Sequence, residues 1–329
     1  MGLRYDGIGP AAAGGGGRDP WVGIAANAHS GRGTGRARVE RLVRELARRG
    51  LDSRVAWTPE ERAALVAEAR ADGDCRCLVA AGGDGTVAAL VNERPDVPMT
   101  VLPAGTENLF ARHFGVRGLP EGVAATIAAG RVVPIDLGLA GRRRFALMAG
   151  IGFDADVVTR HHLARVGPAG RMRPSHRAAY VEPVLRASFG YRFPPLTIRI
   201  ADPGREETLV GATAFVFNLP RYALGLPFAP NALQDDGWLD LVVFRNPGPF
   251  HALRYIWMVF RGIHLDRPGI YHRRVRRLSL TCAEPAPVQL DGDPGGTVAP
   301  DADATHWTVE VLPGVLGVMV PPSYRLAAC

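Results

Sequence analysis

The sequence contains no lysine: all 39 of its basic residues are arginine. That absence excludes every mechanism that needs a lysine amine, including a Walker A phosphate loop, a Schiff base and a kinase-type strand lysine. Cysteine is scarce as well. The four present (Cys75, Cys77, Cys282 and Cys329) form no metal-spaced set, and a reduced cytoplasmic compartment fits them best. The nine histidines show no ligand spacing, and His161 and His162 read as loop residues. Long apolar runs are missing too. The most apolar helix-like stretch, "YIWMVF" at 255–260, is far too short to span a bilayer and is bracketed by Arg254 and Arg261. Residues 1–20 have no apolar signal segment, and the start Met-Gly-Leu-Arg-Tyr-Asp lacks the hydroxyl residue of a myristoylation site. The expected localisation is cytoplasmic, with any membrane contact peripheral and on the inner face.

What is present is an ordinary globular composition, 47% hydrophobic over 329 residues, enough for two domains. A net charge of +7 favours an anionic partner: a nucleotide, a nucleic acid or an acidic lipid surface. Nucleic acid is disfavoured, because the arginines are dispersed and no aromatic-basic motif accompanies them. After a tail over 1–19 expected to be disordered, strand and helix signals alternate. "WVGIAAN" reads as a strand, "GRARVERLVRELARRG" as a helix, "SRVAW" as a strand, and Thr58-Pro59-Glu60-Glu61 as a capping box opening a helix. A strand at 77–81, a helix from Thr86, the strand "MTVLP" and a helix through Phe110 and Phe114 follow. This alternation predicts a doubly wound, mostly parallel α/β domain. From about residue 136, short strand-like runs separated by Pro/Gly turns predict a β-sandwich, with helices near 177–189 and 249–262. The segment 160–177, rich in arginine and histidine, reads as a basic loop. The expected domains are 20–137 and 138–312, and 313–329 is a C-terminal segment that returns to the first.

Ligands of a doubly wound sheet bind beyond the carboxyl ends of its strands, where Asn27–Gly35, Thr58, Gly82–Thr86 and Gly105–Asn108 all fall. Gly82, Gly83 and Gly85 permit a tight turn and close approach of a ligand, and the N–H groups of the following helix favour phosphate. Asp84 within that turn would repel phosphate, so its presence implies Mg²⁺ between the two or a general base. Gly31, Gly33 and Gly35 have the spacing G-x-G-x-G rather than G-x-G-x-x-G, which argues against a dinucleotide-dependent dehydrogenase.

"SGRG" at 30–33, "GGDGT" at 82–86, "LPAGTEN" at 102–108, "DDGWLD" at 235–240 and "QLDGDP" at 289–294 together resemble the successive motifs of the diacylglycerol kinase and sphingosine kinase superfamily, specifically its soluble bacterial lipid kinases. The motifs occur in family order and cover nearly all of residues 20–322. The resemblance implies a nucleotide site in a cleft between the α/β domain and the β-sandwich, with transfer of the ATP γ-phosphoryl group to a lipid hydroxyl. It assigns Ser30, Gly31, Thr58, Gly82, Gly83, Asp84, Gly85, Thr86, Gly105, Thr106 and Asn108 to nucleotide, and Asp84 also to positioning the metal-bound phosphate. It makes Asp293 the candidate base, and it gives Asp236, with the main-chain carbonyls of Leu233 and Trp238, to a structural Mg²⁺. Positioning and charge neutralisation suffice for phosphoryl transfer.

The family pattern is broken in places. "GGDGTVNE" reads "GGDGTVAA", so Ala88 and Ala89 replace an amide and a carboxylate, with Asn92 and Glu93 one helical turn further on. Asp293 replaces a glutamate, and "GTEN" replaces "GTGN". An arginine must supply any countercharge to the γ-phosphate, with Arg32, Arg112 and Arg177 as candidates. Two other readings stand beside the lipid kinase: an NAD kinase-like phosphotransferase, which shares Gly-Gly-Asp-Gly, and a degenerate nucleotide or lipid sensor. The stretch 217–233 reads either as ordinary sandwich core or as a lip for an acyl chain; Leu224, Leu226 and Phe228, set among prolines and glycines rather than in alternation, favour a lipid-facing loop, which with the basic segment fits peripheral membrane contact. The oligomeric state is left open, a homodimer included.

Overall fold

The computed structural model describes residues 20–27, 34–165, 181–202, 204–299 and 307–325. The expected tail over 1–19, Ser30, Gly31, Arg32, Arg177 and the basic segment beyond Arg165 lie outside the described residues. In chain order the elements are β1 (Trp21–Ala26), α1 (Gly35–Ala47), β2 (Asp52–Ala56), α2 (Pro59–Ala71), β3 (Cys75–Gly82), α3 (Asp84–Asn92), β4 (Met99–Pro103), α4 (Leu109–His113), α5 (Pro120–Ala129), β5 (Val132–Ala140), β6 (Arg143–Phe145) and β7 (Met148–Gly152). Then come α6 (Phe153–Arg165), α7 (Val181–Gly190), β8 (Leu196–Asp202), β9 (Arg205–Gly211), β10 (Thr213–Phe217), β11 (Leu239–Phe244), α8 (Pro249–Phe260), β12 (Ile270–Val275), β13 (Arg277–Cys282), β14 (Ala286–Leu290), β15 (Asp293–Val298) and β16 (Trp307–Met319). Two compact units result: Met1–Asp136 with Pro313–Cys329, and Leu137–Leu312.

The first unit is a parallel sheet in the order β2-β1-β3-β4, continued by the last residues of β16, where Val318 pairs with Met99. β1 and β4 are buried throughout, as strands covered by helices on both faces must be, and the edge strand β2 is partly exposed. Chain order reverses between β1 and β3, so the crevice at their carboxyl ends is the topological switch point. Asn27 leaves β1 there, its N–H donating to Ala81 O at 3.1 Å. Pairing of Gly82 with Pro103 then brings the loop after β4 alongside the one after β3. The capping box is formed as its spacing requires. The Glu61 N–H donates to the Thr58 hydroxyl and the Thr58 N–H to the Glu61 carboxylate, both at 3.2 Å. Cys75 and Cys77 are buried thiols on β3.

The second unit is an antiparallel sandwich. One sheet runs β12-β11-β10-β7-β14-β15, and the other places β13 between β8 and the first residues of β16, with β9 outside β8. Ile151, Val216, Leu241 and Val288 of the first sheet share one core with Ile198, Leu278, Leu280 and Val309 of the second. One sequence expectation fails in this unit and one pair of alternatives is decided. Residues 160–165 are not loop but the end of α6, a helix that buries Phe153, Val157, Val158 and His161. The stretch 217–233 is largely core: Phe228 is buried and stacked on Phe217 at 5.7 Å, and among Leu224, Leu226 and Phe228 only Leu224 is exposed. Among the described residues no helix is long and apolar enough to cross a membrane.

Candidate active site

The loop after β3 turns within van der Waals reach of the loop after β4. A Cβ on Gly83 would come within 3.1 Å of the Gly105 Cα, and one on Gly105 within 2.5 Å of the Gly83 Cα, so neither position accepts a side chain without moving the other loop. A Cβ on Gly82 would strike the Thr86 hydroxyl at 2.0 Å. Main-chain bonds fix the turn: Thr86 N–H to Gly83 O at 2.9 Å and Ala104 N–H to Gly82 O at 2.8 Å. Asn108 closes its own loop from a left-handed backbone (φ 50°), its amide accepting from the Gly105 N–H and donating to the Gly105 carbonyl, both at 2.8 Å.

Asp84 joins the two loops. Its Oδ2 accepts from the Leu109 N–H and its Oδ1 from the Phe110 N–H, each at 3.0 Å, so one carboxylate caps the start of α4 from the first residue of α3. Burial pushes its pKa up, the two N–H donors pull it down, and the Glu107 charge raises it again. Gly83, the N-cap of α3, has extended backbone with no side-chain cap on the helix start, while the Thr86 and Val87 N–H groups donate to the Gly83 carbonyl at 2.9 and 3.2 Å. Gly85 and Thr106 are exposed at the mouth.

Thr58 is exposed at the end of β2 with its hydroxyl engaged in the capping box. Ala88 is buried, and the residues one turn on do not replace the missing amide and carboxylate. Asn92 donates to the Ala88 carbonyl at 2.8 Å, and Glu93 is paired with Arg62 at 3.2 Å, both at the opposite end of α3 from Asp84. Arg112, in the last turn of α4, is exposed.

In the second unit, Asp293 opens β15. Burial raises its pKa, opposed by the neighbouring His162, Arg143 and Arg165 side chains. Two further carboxylates near it escaped the sequence reading. Asp291, at φ 54°, is buried and accepts from the N–H groups of Ala146 and Leu147 at 2.8 Å and of Met148 at 3.1 Å. Asp154, in the first turn of α6, accepts from Gln289 Nε2 at 2.8 Å, and burial pushes its pKa up to about 6. A Cβ on Gly150 would lie 2.7 Å from Gln289 Nε2 and 2.9 Å from Asp154 Oδ2, so Gly150 makes room for that pair. A carboxylate directly after the glycine-rich strand end "GIGFD" was the available signal.

Because the fold favours protonated Asp154, its contribution to stability is fully present below pH 4 and is lost as pH rises through about 6. Asp154→Asn mimics the protonated form. It should leave the melting temperature unchanged near pH 4 and raise stability by on the order of 2 kcal/mol at pH 7.5. Parallel melting curves of the two proteins across that range check it; identical pH profiles would refute it.

Leu233, Asp236 and Trp238 lie in the turn before β11, where the resemblance places a structural Mg²⁺. The Asp236 carboxylate is already engaged there: it accepts from the Trp238 N–H at 3.0 Å and is ion-paired with Arg274. The guanidinium of Arg274 also lies 5.4 Å from the Trp238 ring centre, and Asp240 is bonded to His272 at 2.8 Å. A divalent ion would have to displace Arg274, so these residues do not fit that role as they stand. Among the described residues no cluster of three or more His, Cys, Asp or Glu side chains could hold a metal.

Two family models match. Residues 22–140 fit the diacylglycerol kinase catalytic domain, and residues 149–320 fit the YegS C-terminal NAD kinase beta sandwich-like domain. A diacylglycerol kinase of Mycobacterium tuberculosis is 30% identical over 297 residues, covering 87% of this chain and 93% of its own. A diacylglycerol kinase of Bacillus subtilis is 27% identical over 230 residues, covering 67% and 71%. The crystal structure of a diacylglycerol kinase from Bacillus anthracis superposes with a TM-score of 0.66 at 19% identity, covering 93% of this chain and 98% of that one, a likeness of fold. With both domain models in sequence order and a relative matched over nearly its whole length, the chain belongs to the diacylglycerol kinase family of lipid kinases.

Proposed function

We propose that this protein transfers the γ-phosphoryl group of ATP to a hydroxyl of a diacylglycerol- or sphingoid-like lipid. The observation that carries this reading is the paired glycine loop at the switch point, held against the start of α4 by Asp84. Gly82, Gly83 and Gly105 let phosphate oxygens approach the main chain, and the first turn of α3 supplies N–H donors. Thr86, Thr106 and Asn108 border the same mouth. Ser30, Gly31 and Thr58 complete the proposed nucleotide set. Asp84 acts by position, setting the two loops at a fixed spacing. Asp293 is the proposed base: a carboxylate with a raised pKa, surrounded by positive charge, is suited to accept a proton from a lipid hydroxyl.

Mg²⁺ accompanying the nucleotide would supply charge neutralisation at the phosphates. The proposed setting is the cytoplasmic face of a membrane, where the product enters phospholipid metabolism. Transfer of labelled phosphate from ATP to a micellar panel of diacylglycerol, monoacylglycerol, sphingosine and ceramide, with NAD alongside, tests the reading. A labelled lipid is the expected product. Labelled NADP alone would establish the NAD kinase alternative, and ATP binding without any product would refute transfer to these acceptors.

A further inference from the structure

Helix α8 is apolar on two faces, and only one of them is used by the fold. Ala252, Tyr255, Met258 and Val259 are buried. Tyr255 stacks on Phe244 of β11 at 4.5 Å, and its hydroxyl donates to Gly269 O and accepts from the Asn246 N–H, both at 3.2 Å. The helix is therefore held firmly by its inner side. Its outer side carries Phe250, Leu253, Trp257 and Phe260 in the i, i+3, i+7, i+10 rhythm of a single stripe. These are 83%, 40%, 56% and 70% exposed. No other helix among the described residues presents such a row.

Charge decides what the stripe meets. From Arg245 to Leu265 the chain contains no acidic residue. Exposed Arg254 and Arg261 flank the aromatic stripe, and the Arg261 guanidinium lies 6.0 Å from the Trp257 ring centre. A second copy of the chain would set these arginines against their own equivalents across an apolar contact. An anionic bilayer instead offers phosphates to the arginines and an acyl boundary to the rings, the interface at which tryptophan is enriched. The 12-residue helix spans about 18 Å, enough to lie in an interface and too short to cross one.

We infer that the outer face of α8 is the membrane-docking surface of this protein, inserting Phe250, Trp257 and Phe260 at the level of anionic head groups. The inference deepens the proposed lipid kinase reading by naming the surface that meets the substrate's bilayer. It replaces the stretch 217–233 in that role.

Co-sedimentation with phosphatidylcholine vesicles, with and without phosphatidylglycerol, tests it. The wild-type protein should bind the anionic vesicles, and Trp257→Ser combined with Phe260→Ser should weaken binding at least about tenfold. Arg254→Gln with Arg261→Gln should remove most of the preference for phosphatidylglycerol, about fivefold per arginine. Brominated lipids should quench tryptophan emission in the wild type but not in Trp257→Phe. Because the substituted side chains are exposed, melting temperatures should stay within a few degrees. Unchanged vesicle binding in the double serine variant overturns the inference. So does a wild-type dimer that this variant dissociates, which would make the stripe a self-interface.

Activity separates this proposal from the one on which it builds. The serine variant should phosphorylate a monomeric short-chain diacylglycerol at the wild-type rate and vesicle-embedded diacylglycerol more slowly. Vesicle binding through α8 with no transfer to any lipid would sink the kinase reading alone.

Discussion

Asp84→Ala should fold, melt several degrees lower and transfer phosphate at least about 10³-fold more slowly than the wild type. Both effects follow from one pair of bonds. The two carboxylate oxygens accept the Leu109 and Phe110 N–H groups, 25 and 26 residues away, and alanine offers these donors no acceptor. Charge-assisted bonds of this kind are each worth up to about 3 kcal/mol, but Asp84 is only partly buried and water recovers some of the loss. A net cost of about 2 kcal/mol lowers the melting temperature by about 4–8 °C.

The larger loss is functional. Without the clamp, the start of α4 is no longer tied to the turn after β3, leaving the main-chain bond from Ala104 N–H to Gly82 O, and misplacement on the ångström scale at a phosphate costs orders of magnitude in rate. A clamp also predicts which constants move: the KM for ATP should rise together with the fall in kcat, and the stabilisation that ATP confers on the wild type should shrink. Asp84→Asn keeps the size but turns one N–H donor toward another, so it should not rescue turnover. Near-normal kcat in Asp84→Ala, with only the melting temperature lowered, would remove Asp84 from the mechanism.

Much of the α/β unit was legible in the residues. The buried run Leu78–Ala81 breaking into glycines predicted β3 and the turn before α3, and the Thr58–Glu61 box appears with the bonds its spacing implies. Helix α5 is hard to see in the sequence, although Pro120 at its start and left-handed Gly130 at its end mark it, because its alanine-rich run lacks the polar face that gives a helix its periodic signature. The arginines and histidines at the end of α6 have the composition of a solvated loop, whereas His161 is buried. The clamp was illegible for a different reason. A carboxylate in a glycine turn shows what it could touch locally, but the amides that bond Asp84 arrive from another strand's loop, and only the β3–β4 pairing brings them there.

The hairpin between β14 and β15 poses the sharpest separation of structure from chemistry, since its two aspartates stand two residues apart and should fail in opposite ways. Asp291→Ala should destabilise the second unit by about 4 kcal/mol. It strips the acceptor from three N–H groups at Ala146, Leu147 and Met148 in a site closed to water. It also leaves alanine at φ 54°, where aspartate is better tolerated. Asp293→Asn should do the reverse. Burial already disfavours its charge, so removing that charge should leave the melting temperature unchanged or slightly raised, while turnover falls by at least about 10²-fold if the carboxylate accepts the lipid proton. Asp293→Glu restores a carboxylate one methylene further out, the family's usual residue there, and should recover much of the lost turnover. Denaturant melts and lipid phosphorylation measured on all three variants check the assignment. If Asp293→Asn unfolds the protein, or Asp291→Ala melts like the wild type, the division of labour between the two aspartates is wrong. Asp293→Asn turning over normally would leave the proton to another group, and Asp154, half-buried and bonded to Gln289, with its pKa pushed up to about 6, is the nearest in chemistry.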